Sequence, residues 1–396
     1  MTKDDFIQKV QDSLPIDRKT DDFLEDVKNT YKGFIDNIKT IDDNVFKSIE
    51  DKTLIIQKVK ESSDTIQAVI KKYLDGSHGE AYALLKNSIT NPDGSLKIGV
   101  ITIDKTENNK KYYYRARIDD GTVKSYQDMF HIPNNKREII KTERFSALGY
   151  PCLYLGNSVY DCWEEMGRPS FDDLCFSGYK VVESFKVYDL RKPTKEDFDH
   201  YDISSIVERL VYVFACQFKV LHKDGHFKPE YIIPQLILEL IITSNRKKKE
   251  TESSPYSLAW GVAYTSTHLA NDFPYKEDYL ENIALPVVDT LNEYCGYLTS
   301  LFEVSNPIRY RYEELKENHN GIHWNSPDAD EIKETYEASK LGFIERRLKE
   351  NSQYYQSPYI IIDSPDNIIL PTKGGNGNIY IKSNSQWTVS VKDNED

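Results

Sequence analysis

Three polar residues near the middle of the chain, Arg144, Tyr154 and Glu165, have side chains that could perform chemistry together. An arginine offers a planar, permanently charged donor fork that suits phosphate oxygens. An ionised glutamate can stabilise positive charge that develops on a substrate, and a tyrosine provides an aromatic face and a hydroxyl. The residues alone leave an alternative open, namely an exposed arginine, a core tyrosine and a glutamate on a helix surface.

The segment that carries these residues reads RFSALGYPCLYLGNSVYDCWEE, and it predicts a turn, a strand and a helix in succession. Gly149 and Pro151 indicate the turn, and Cys152 to Leu155 form the predicted short, buried strand. Ser158 is a typical N-cap for the helix that carries Glu165. This local order of elements could bring the three polar side chains to one place.

Other features that suggest ligand sites do not meet the requirements of those sites. Gly374, Gly375 and Gly377 miss the spacings of phosphate loops and precede no helical pattern, so they predict a turn. His222 and His226 flank a turn and have no third ligand at a suitable spacing, so we expect no metal site. The chain contains no G-x-S-x-G elbow and no cysteine in a nucleophile signature.

The segment closely resembles the RES family, which is named for its Arg, Glu and Ser residues. The family pattern runs from an Arg through a Gly and a Leu-Tyr strand end to a Glu on a helix. Arg144, Gly149, Tyr154 and Glu165 occupy those places here. Farther along, the stretch WGVAYTS is similar to the family segment that ends in its Ser, which maps to Ser266.

The resemblance covers about Tyr112 to Pro307, with insertions before the arginine and around a basic stretch. The upstream stretch YRAR resembles the opening strand of the family. The sequence leaves open whether Arg115 or Arg117 faces the pocket. Phe145 replaces the Trp that is frequent after the family Arg, and the next residue is a Ser in place of an Asn.

The resemblance implies a fold similar to ADP-ribosyltransferases and NAD as the substrate, with no metal and no prosthetic group. Glu165 would stabilise the oxocarbenium-like ribose that forms as nicotinamide leaves, and Arg144 would bind the pyrophosphate or a ribose oxygen. Tyr154 would stack on nicotinamide or ribose, and Ser266 would orient nicotinamide or the glutamate. Arg115 or its neighbour on the strand would also contact NAD.

The acceptor of the ADP-ribose group stays open at this point. Water would make the protein an NAD glycohydrolase, phosphate an NAD phosphorylase, and a protein side chain an ADP-ribosyltransferase. We expect depletion of NAD by a toxin or antiviral defence effector, with an antitoxin, regulator or trigger protein as partner. The alternative is a non-catalytic module that binds a nucleotide or another protein.

A helical domain, residues 1–94, is expected ahead of this region. Apolar residues from Leu24 to Val45 recur at spacings of three and four, which places them on one helical stripe. A second stripe from Ile55 to Tyr73 could pack against the first, with a turn at Asp75 and Gly76. Such a domain would regulate its neighbour or bind a partner. The heptad-like seam makes a homo-oligomer an alternative to packing within one chain.

The second domain, residues 95–396, is expected to be a mixed β domain with helical insertions, so the predicted fold class is α+β. The candidate strands are Leu96 to Ile103, Tyr112 to Ile118, Cys152 to Gly156, Tyr179 to Asp189 and Leu258 to Thr265. The candidate helices are Ile203 to Leu221 and Tyr231 to Ile242. We further expect a solvated loop at Arg246 to Glu250, a helical lid or contact surface within Tyr310 to Ser352, and a hairpin from Ile379 to Val391.

The composition excludes several classes of protein. A net charge of -13 over 396 residues argues against a general nucleic-acid surface. No apolar run approaches the roughly 20 residues that cross a bilayer. The amino terminus lacks the basic start and apolar stretch of a secretion signal, so we expect a cytoplasmic protein. The five cysteines are odd in number and widely spaced, which indicates reduced, mostly buried thiols.

Overall fold

The computed structural model has an N-terminal helical region followed by a sheet domain, which confirms the α+β class. It describes residues 1–92, 95–105, 111–250, 258–268, 281–288, 293–310, 336, 339–362 and 381–386. Within these ranges no helix combines the length and the apolar composition that a bilayer crossing requires. The five cysteines are all free and buried, as predicted.

The N-terminal region contains the helices α1 (Lys3–Asp12), α2 (Phe23–Thr40), α3 (Ile49–Leu74) and α4 (His78–Ile89). The second predicted stripe lies on α3, which ends at the predicted turn, where Gly76 has a φ of 83°. The first stripe is shorter than predicted, because α2 ends at Thr40 and Val45 lies in a short 3-10 turn. Asp42 and Asp43 follow the end of α2. Acidic residues are unfavourable at this end of a helix because it is the negative end of the helix dipole.

The second region is built on a nine-stranded sheet. Its strands are β1 (Val100–Ile103), β2 (Tyr112–Ile118), β3 (Cys152–Gly156), β4 (Leu174–Val181), β5 (Phe185–Leu190), β6 (Ala259–Thr265), β7 (Glu281–Pro286), β8 (Phe302–Ser305) and β9 (Tyr354–Tyr355). The strand order is β1-β5-β6-β7-β3-β2-β4-β8-β9, and β5 and β6 are parallel whereas the other pairs are antiparallel. The sheet is therefore mixed, and β6, β7, β3 and β2 lie side by side near its centre.

Helices and loops cover both faces of this sheet. The helices are α5 (Val159–Glu165), α6 (Lys195–His200), α7 (Ile203–Cys216), α8 (Ile232–Glu250), α9 (Gly296–Leu301) and α10 (Lys340–Asn351). Strand β3 shows how the faces divide, because successive side chains of a strand point to opposite sides. Cys152 and Tyr154 pack in the cluster that contains α7 and α8, whereas Leu153 and Leu155 pack in the cluster that contains α9.

The N-terminal helices and the sheet domain share one apolar core. Phe34 of α2 and Phe214 of α7 meet edge to face, with ring centroids 4.7 Å apart. The hydroxyl of Tyr31 donates a hydrogen bond to the carbonyl of Val211 at 2.7 Å. Burial of this surface ties residues 1–92 to the sheet domain. The division into two domains at residue 94 stays a prediction about how the chain folds.

The strand predictions hold for β2 and β3 in full and for β6 to within one residue. The predicted strand Tyr179 to Asp189 is wrong, because it comprises the end of β4 and most of β5, which occupy separate places in the sheet. Polar Glu183 and Ser184 lie at the break. Strand β1 begins only at Val100, after a turn that contains Gly99 at a φ of 75°.

The helix predictions differ from the structure at their ends. Helix α7 stops at Cys216, earlier than the predicted Leu221. Helix α8 continues through the predicted loop Arg246 to Glu250, so that prediction is wrong. Arginine, lysine and glutamate favour helices, and no glycine or proline interrupts α8 after its first turn. The buried apolar half of the helix therefore extends without a break into its charged end.

Parts of the chain named in the sequence analysis lie outside the described residues. These parts are the glycines from 374 to 377, residues 387–391 of the predicted hairpin, and most of the charged segment before α10. Within the described residues, β10 (Ile360–Ile362) pairs antiparallel with β11 (Ile381–Ser383) in a small second sheet.

Candidate functional site

The central strands of the sheet and the helix after β3 surround a cavity of about 310 Å³. Its wall receives Arg115 from β2, Tyr154 from β3 and Glu165 from the end of α5. The loop before β3 supplies Arg144. The structure thus brings together four of the six residues that the sequence predicted for the site. The other lining residues include Glu143, Gly156, Cys162, Met166, Tyr231, Tyr264, His268 and Asn282.

Glu165 presents a carboxylate to this cavity. Asn282 of β7 donates a hydrogen bond from Nδ2 to Oε1 of Glu165 at 3.2 Å, and Nε2 of His268 lies 3.9 Å from Oε2. The side chain of Glu165 keeps 27% of its surface exposed. One oxygen is therefore fixed by an amide while the group stays accessible to a ligand, which is the arrangement that a stabilising carboxylate needs.

The position of Glu165 follows from how α5 leaves the sheet. The hydroxyl of Ser158 accepts a hydrogen bond from the N–H of Asp161 at 3.0 Å, which confirms the predicted N-cap. A Cβ at Gly156 would lie 3.0 Å from Sγ of Cys162 and 3.3 Å from Oδ1 of Asn282. A glycine at this place lets the first turn of α5 approach β3 and β7 closely.

Arg144 is nearly enclosed, with 8% of its surface exposed, and most of its donors are already engaged. Its Nη1 donates to the carbonyls of Cys216 and Phe218, both at 3.0 Å, and its Nη2 donates to Oγ1 of Thr267 at 2.7 Å. The guanidinium also lies 5.2 Å from the centroid of the Tyr231 ring. Arg144 thus connects the end of α7 to the loop after β6 while one edge reaches the cavity.

Tyr154 lines the cavity with its ring and is held in place through its hydroxyl. The hydroxyl donates a hydrogen bond to Oγ of Ser146 at 3.0 Å. Burial holds the pKa of Tyr154 well above its usual value, so the phenol keeps its proton. Phe145 packs against the ring of Tyr264 with centroids 4.7 Å apart. Phe145 and Ser146 therefore support the cavity wall from behind.

Of the two arginines on β2, Arg115 lines the cavity and Arg117 does not. Arg115 donates from Nη1 to the carbonyl of Met129 at 2.9 Å and also to that of Phe130. Arg117 donates from Nη1 to the carbonyl of Asp128. Both side chains therefore tie β2 to the loop that contains residues 128–130, and only Arg115 is placed to contact a bound ligand.

Ser266 is fully buried and lies behind the cavity, outside its lining. Its hydroxyl accepts a hydrogen bond from the N–H of His268 at 3.1 Å. The residue between them, Thr267, accepts the hydrogen bond from Arg144. Ser266 thus shapes the short segment that ends β6 and sets His268 beside Glu165.

Sequence reasoning did not find Asn282 and His268, although both lie beside the carboxylate. Asn282 is the second residue of β7 and pairs with Gly156 of β3 and Tyr264 of β6. Neither residue belongs to a recognisable local pattern. Their role depends on the pairing of strands that are far apart in the sequence. The sequence offers one indication, which is that His268 lies just after the predicted strand β6.

A buried carboxyl group and a thiol are neighbours in α5, and the thiol lines the cavity. Asp161 is fully buried, and neither of its carboxyl oxygens has a hydrogen-bond partner among the described residues. Burial, and next the charge of Glu165, hold the pKa of Asp161 well above its usual value. Burial also raises the pKa of Cys162, whose thiol donates to the carbonyl of Tyr114 at 3.2 Å. The Cys162 thiol therefore makes a poor nucleophile.

We expect Asp161→Asn to stabilise the protein increasingly as the pH rises above about 4. The raised pKa means that the folded state holds a proton that the unfolded chain releases near the usual value of 3.8. Wild type therefore loses stability as the pH rises toward the folded-state pKa, by at most about 1.4 kcal/mol for each pH unit, and the asparagine variant does not. Urea unfolding of both proteins at pH 5, 6, 7 and 8 measures the difference, and a constant difference would refute the neutral carboxyl.

The cavity therefore combines a fixed carboxylate, tyrosine rings and arginine side chains. Such a set can bind a positively charged aromatic group, stabilise a developing cation and contact phosphate oxygens. No group of three or more His, Cys, Asp and Glu side chains that could hold a metal ion is found in the part of the chain that the structure describes.

Comparison with known proteins gives one informative relative. The chain is 29% identical over 357 residues to a protein of Bacillus subtilis (strain 168) named "Putative toxin YopC", and the match covers 85% of this chain and 78% of that protein. No family model matches the chain. No solved structure matches it either. The sequence is thus similar to that of a protein named as a toxin.

Proposed function

We propose that this protein is a toxin that cleaves the bond between nicotinamide and ribose in NAD. The observation that carries the proposal is the Glu165 carboxylate, held by Asn282 in a cavity that Arg144 and Tyr154 also line. The similarity to the Bacillus protein supports the cellular role. The resemblance of the Arg144 to Glu165 segment to the RES family supports NAD as the substrate.

The two carboxylates of the cavity favour the nicotinamide end of NAD, because the Arg115 and Arg144 side chains beside them already donate hydrogen bonds within the protein. The pyridinium ring carries a positive charge, and the cavity presents two carboxylates, Glu143 and Glu165. Tyr154, Tyr231 and Tyr264 add aromatic rings, against which a flat cation packs well. A dinucleotide with its nicotinamide ribose beside Glu165 would place the pyridinium charge near the carboxylates and the flat ring near the tyrosines.

In the proposed reaction the bond between C1′ of the ribose and N1 of nicotinamide breaks. The electron pair of that bond stays on N1, so nicotinamide leaves as a neutral molecule and the ribose becomes an oxocarbenium ion. Glu165 stabilises the positive charge and accepts a hydrogen bond from a ribose hydroxyl. With water as the acceptor, water adds to C1′ and loses a proton to solvent, which gives ADP-ribose.

The role of Glu165 is electrostatic and does not require a covalent intermediate. The Asn282 amide holds one carboxylate oxygen, so the other oxygen faces the ligand and His268. The fixed position means that little reorganisation is needed when positive charge develops on the ribose.

Induced expression in a bacterial host tests the cellular part of the proposal. We expect wild type to lower the NAD content of the cells several-fold before growth stops, and we expect Glu165→Gln at the same expression level to leave both unchanged. Extracted NAD is measured by an enzymatic cycling assay at short intervals after induction. Growth arrest at constant NAD would contradict NAD as the target and would leave a toxin with another substrate.

A further inference from the structure

A second cavity adjoins the first and is lined mainly by cationic side chains, whereas the first is lined by two arginines and two glutamates. Its volume is about 410 Å³, and it shares Arg144, Tyr231 and His268 with the cavity that contains Glu165. The lining residues that belong to it alone include the cationic side chains Arg18, Lys219, Lys223 and Lys228, against one carboxylate, Asp17. Such a concentration of positive charge is unexpected in a chain with a net charge of -13.

The walls of this basic cavity are part of the folded core. Ile16 pairs with Phe218 in a parallel bridge, and the N–H of Lys219 donates to the carbonyl of Ile16 at 2.9 Å. These contacts bring the segment between α1 and α2 to the loop between α7 and α8. The N-terminal helical region therefore contributes one wall of the cavity.

Arg18 holds this wall in place, and its charge is compensated within the protein. Its Nη1 lies 2.8 Å from Oε1 of Glu230, and its Nε lies 3.2 Å from Oδ2 of Asp26. All three side chains are buried. A buried ion pair with these hydrogen bonds fixes the position of a segment, and it leaves little charge for a ligand.

Two lysines are the cations with charge left for a ligand. Lys219 pairs with Asp17 at 2.9 Å, whereas Lys223 and Lys228 form no ion pair with any carboxylate in the described ranges. Nζ of Lys228 lies 5.5 Å from the centroid of the Tyr231 ring, on the residue that both cavities share. This ring directs the Lys228 ammonium toward the junction of the cavities.

We propose that the basic cavity binds the pyrophosphate of the dinucleotide, with Lys223 and Lys228 as its principal phosphate contacts. The inference rests on the proposed function and extends it to the other half of the substrate. NAD has a cationic nicotinamide end and an anionic pyrophosphate. The Glu143 and Glu165 carboxylates line the first cavity, whereas Lys223 and Lys228 line the second. Arg144 lines both cavities, at the place where a phosphate next to the nicotinamide ribose would pass.

The proposal assigns the site a substrate class. Dinucleotides and their ADP-ribose product can occupy both cavities, whereas nicotinamide riboside, which has no phosphate, can occupy only the cavity that contains Glu165. It also gives the N-terminal region a direct part in binding, because residues 17 and 18 line the basic cavity.

Binding of ADP-ribose tests the proposal without any need for turnover. Isothermal titration calorimetry of the full-length protein compares wild type with the double variant Lys223→Gln and Lys228→Gln. We expect the variant to bind ADP-ribose at least about tenfold more weakly, because two charge-assisted hydrogen bonds are lost. We also expect a weaker dependence of its affinity on salt. The matched control, Lys60→Gln with Lys71→Gln, removes two charges from exposed positions on α3 and should bind as wild type does.

The outcomes separate this inference from the proposed function. Equal affinity of wild type and the Lys223 and Lys228 variant for ADP-ribose would overturn the inference even if NAD were cleaved. Failure of wild type to bind ADP-ribose at millimolar concentration would overturn it as well. Charge-dependent binding of ADP-ribose by wild type without nicotinamide release would support the basic cavity and contradict the cleavage.

Discussion

Glu165→Gln should abolish nicotinamide release and leave the fold intact. We expect the rate of NAD cleavage to fall by about 10²- to 10³-fold or more, because the variant has no charge to stabilise the developing ribose cation. Glutamine keeps an oxygen that can accept the hydrogen bond from Asn282, and the side chain is partly exposed, so stability should change little. Release of nicotinamide is followed by chromatography, and folding is checked by circular dichroism and urea unfolding.

A second carboxylate in the same cavity provides the matched control. Glu143 lines the cavity but forms no hydrogen bond with Glu165 or Asn282 through its side chain. Glu143→Gln removes the same charge a short distance away, and we expect it to lower the rate less than tenfold. Equal losses in the two variants would mean that net charge in the cavity, and no specific role of Glu165, governs the rate.

Arg144→Ala should cost both stability and activity. The buried guanidinium donates to two backbone carbonyls and to a threonine hydroxyl, and the substitution leaves these acceptors without their donor. We expect the free energy of unfolding to fall by about 2–4 kcal/mol. Arg144→Lys should give an intermediate loss, because a lysine carries the charge but lacks the planar fork that reaches three acceptors. Urea unfolding of the three proteins gives the comparison.

Thr267→Val is the control for this contact. It removes one acceptor of Arg144 and retains the two carbonyl contacts, so we expect a smaller loss of about 1 kcal/mol. Unchanged stability of Arg144→Ala would show that the buried contacts contribute nothing to folding. The residue would then serve only the ligand, as the family resemblance alone suggested.

The local order of the site was predictable from the sequence because each step depends on near neighbours. The turn at Gly149, the strand β3 and the cap at Ser158 are properties of short segments, and the structure places them as expected. Positioning of Tyr154 and Glu165 on one cavity follows from the length of the strand and the first turns of α5. The resemblance to the RES family drew attention to these same residues.

Contacts between distant segments were not predictable in the same way. The pairing of β3 with β7 places Asn282 beside Glu165, and no pattern around Asn282 indicates that pairing. Arg144 offers a second example. The sequence suggested a ligand contact, but the fold brings the end of α7 and the loop after β6 to its donors. Such long-range packing depends on the whole core, which a single sequence does not reveal.

The helical end of α8 shows a third kind of difference. A run of five charged residues, Arg246 to Glu250, suggested a solvated loop, yet each residue favours a helix and a long apolar helix precedes them. Extending an existing helix costs far less free energy than starting a new one, so the charged residues continue α8. Charge alone therefore does not decide secondary structure.

The central claim is that the cavity around Glu165 cleaves NAD at the nicotinamide bond. The most direct measurement incubates the purified full-length protein with NAD and identifies the products by liquid chromatography with mass spectrometry. The account predicts one nicotinamide released for each NAD consumed, together with an ADP-ribose product whose mass identifies the acceptor. Intact NAD after incubation with the folded protein, repeated with phosphate and with cell extract present, would contradict it.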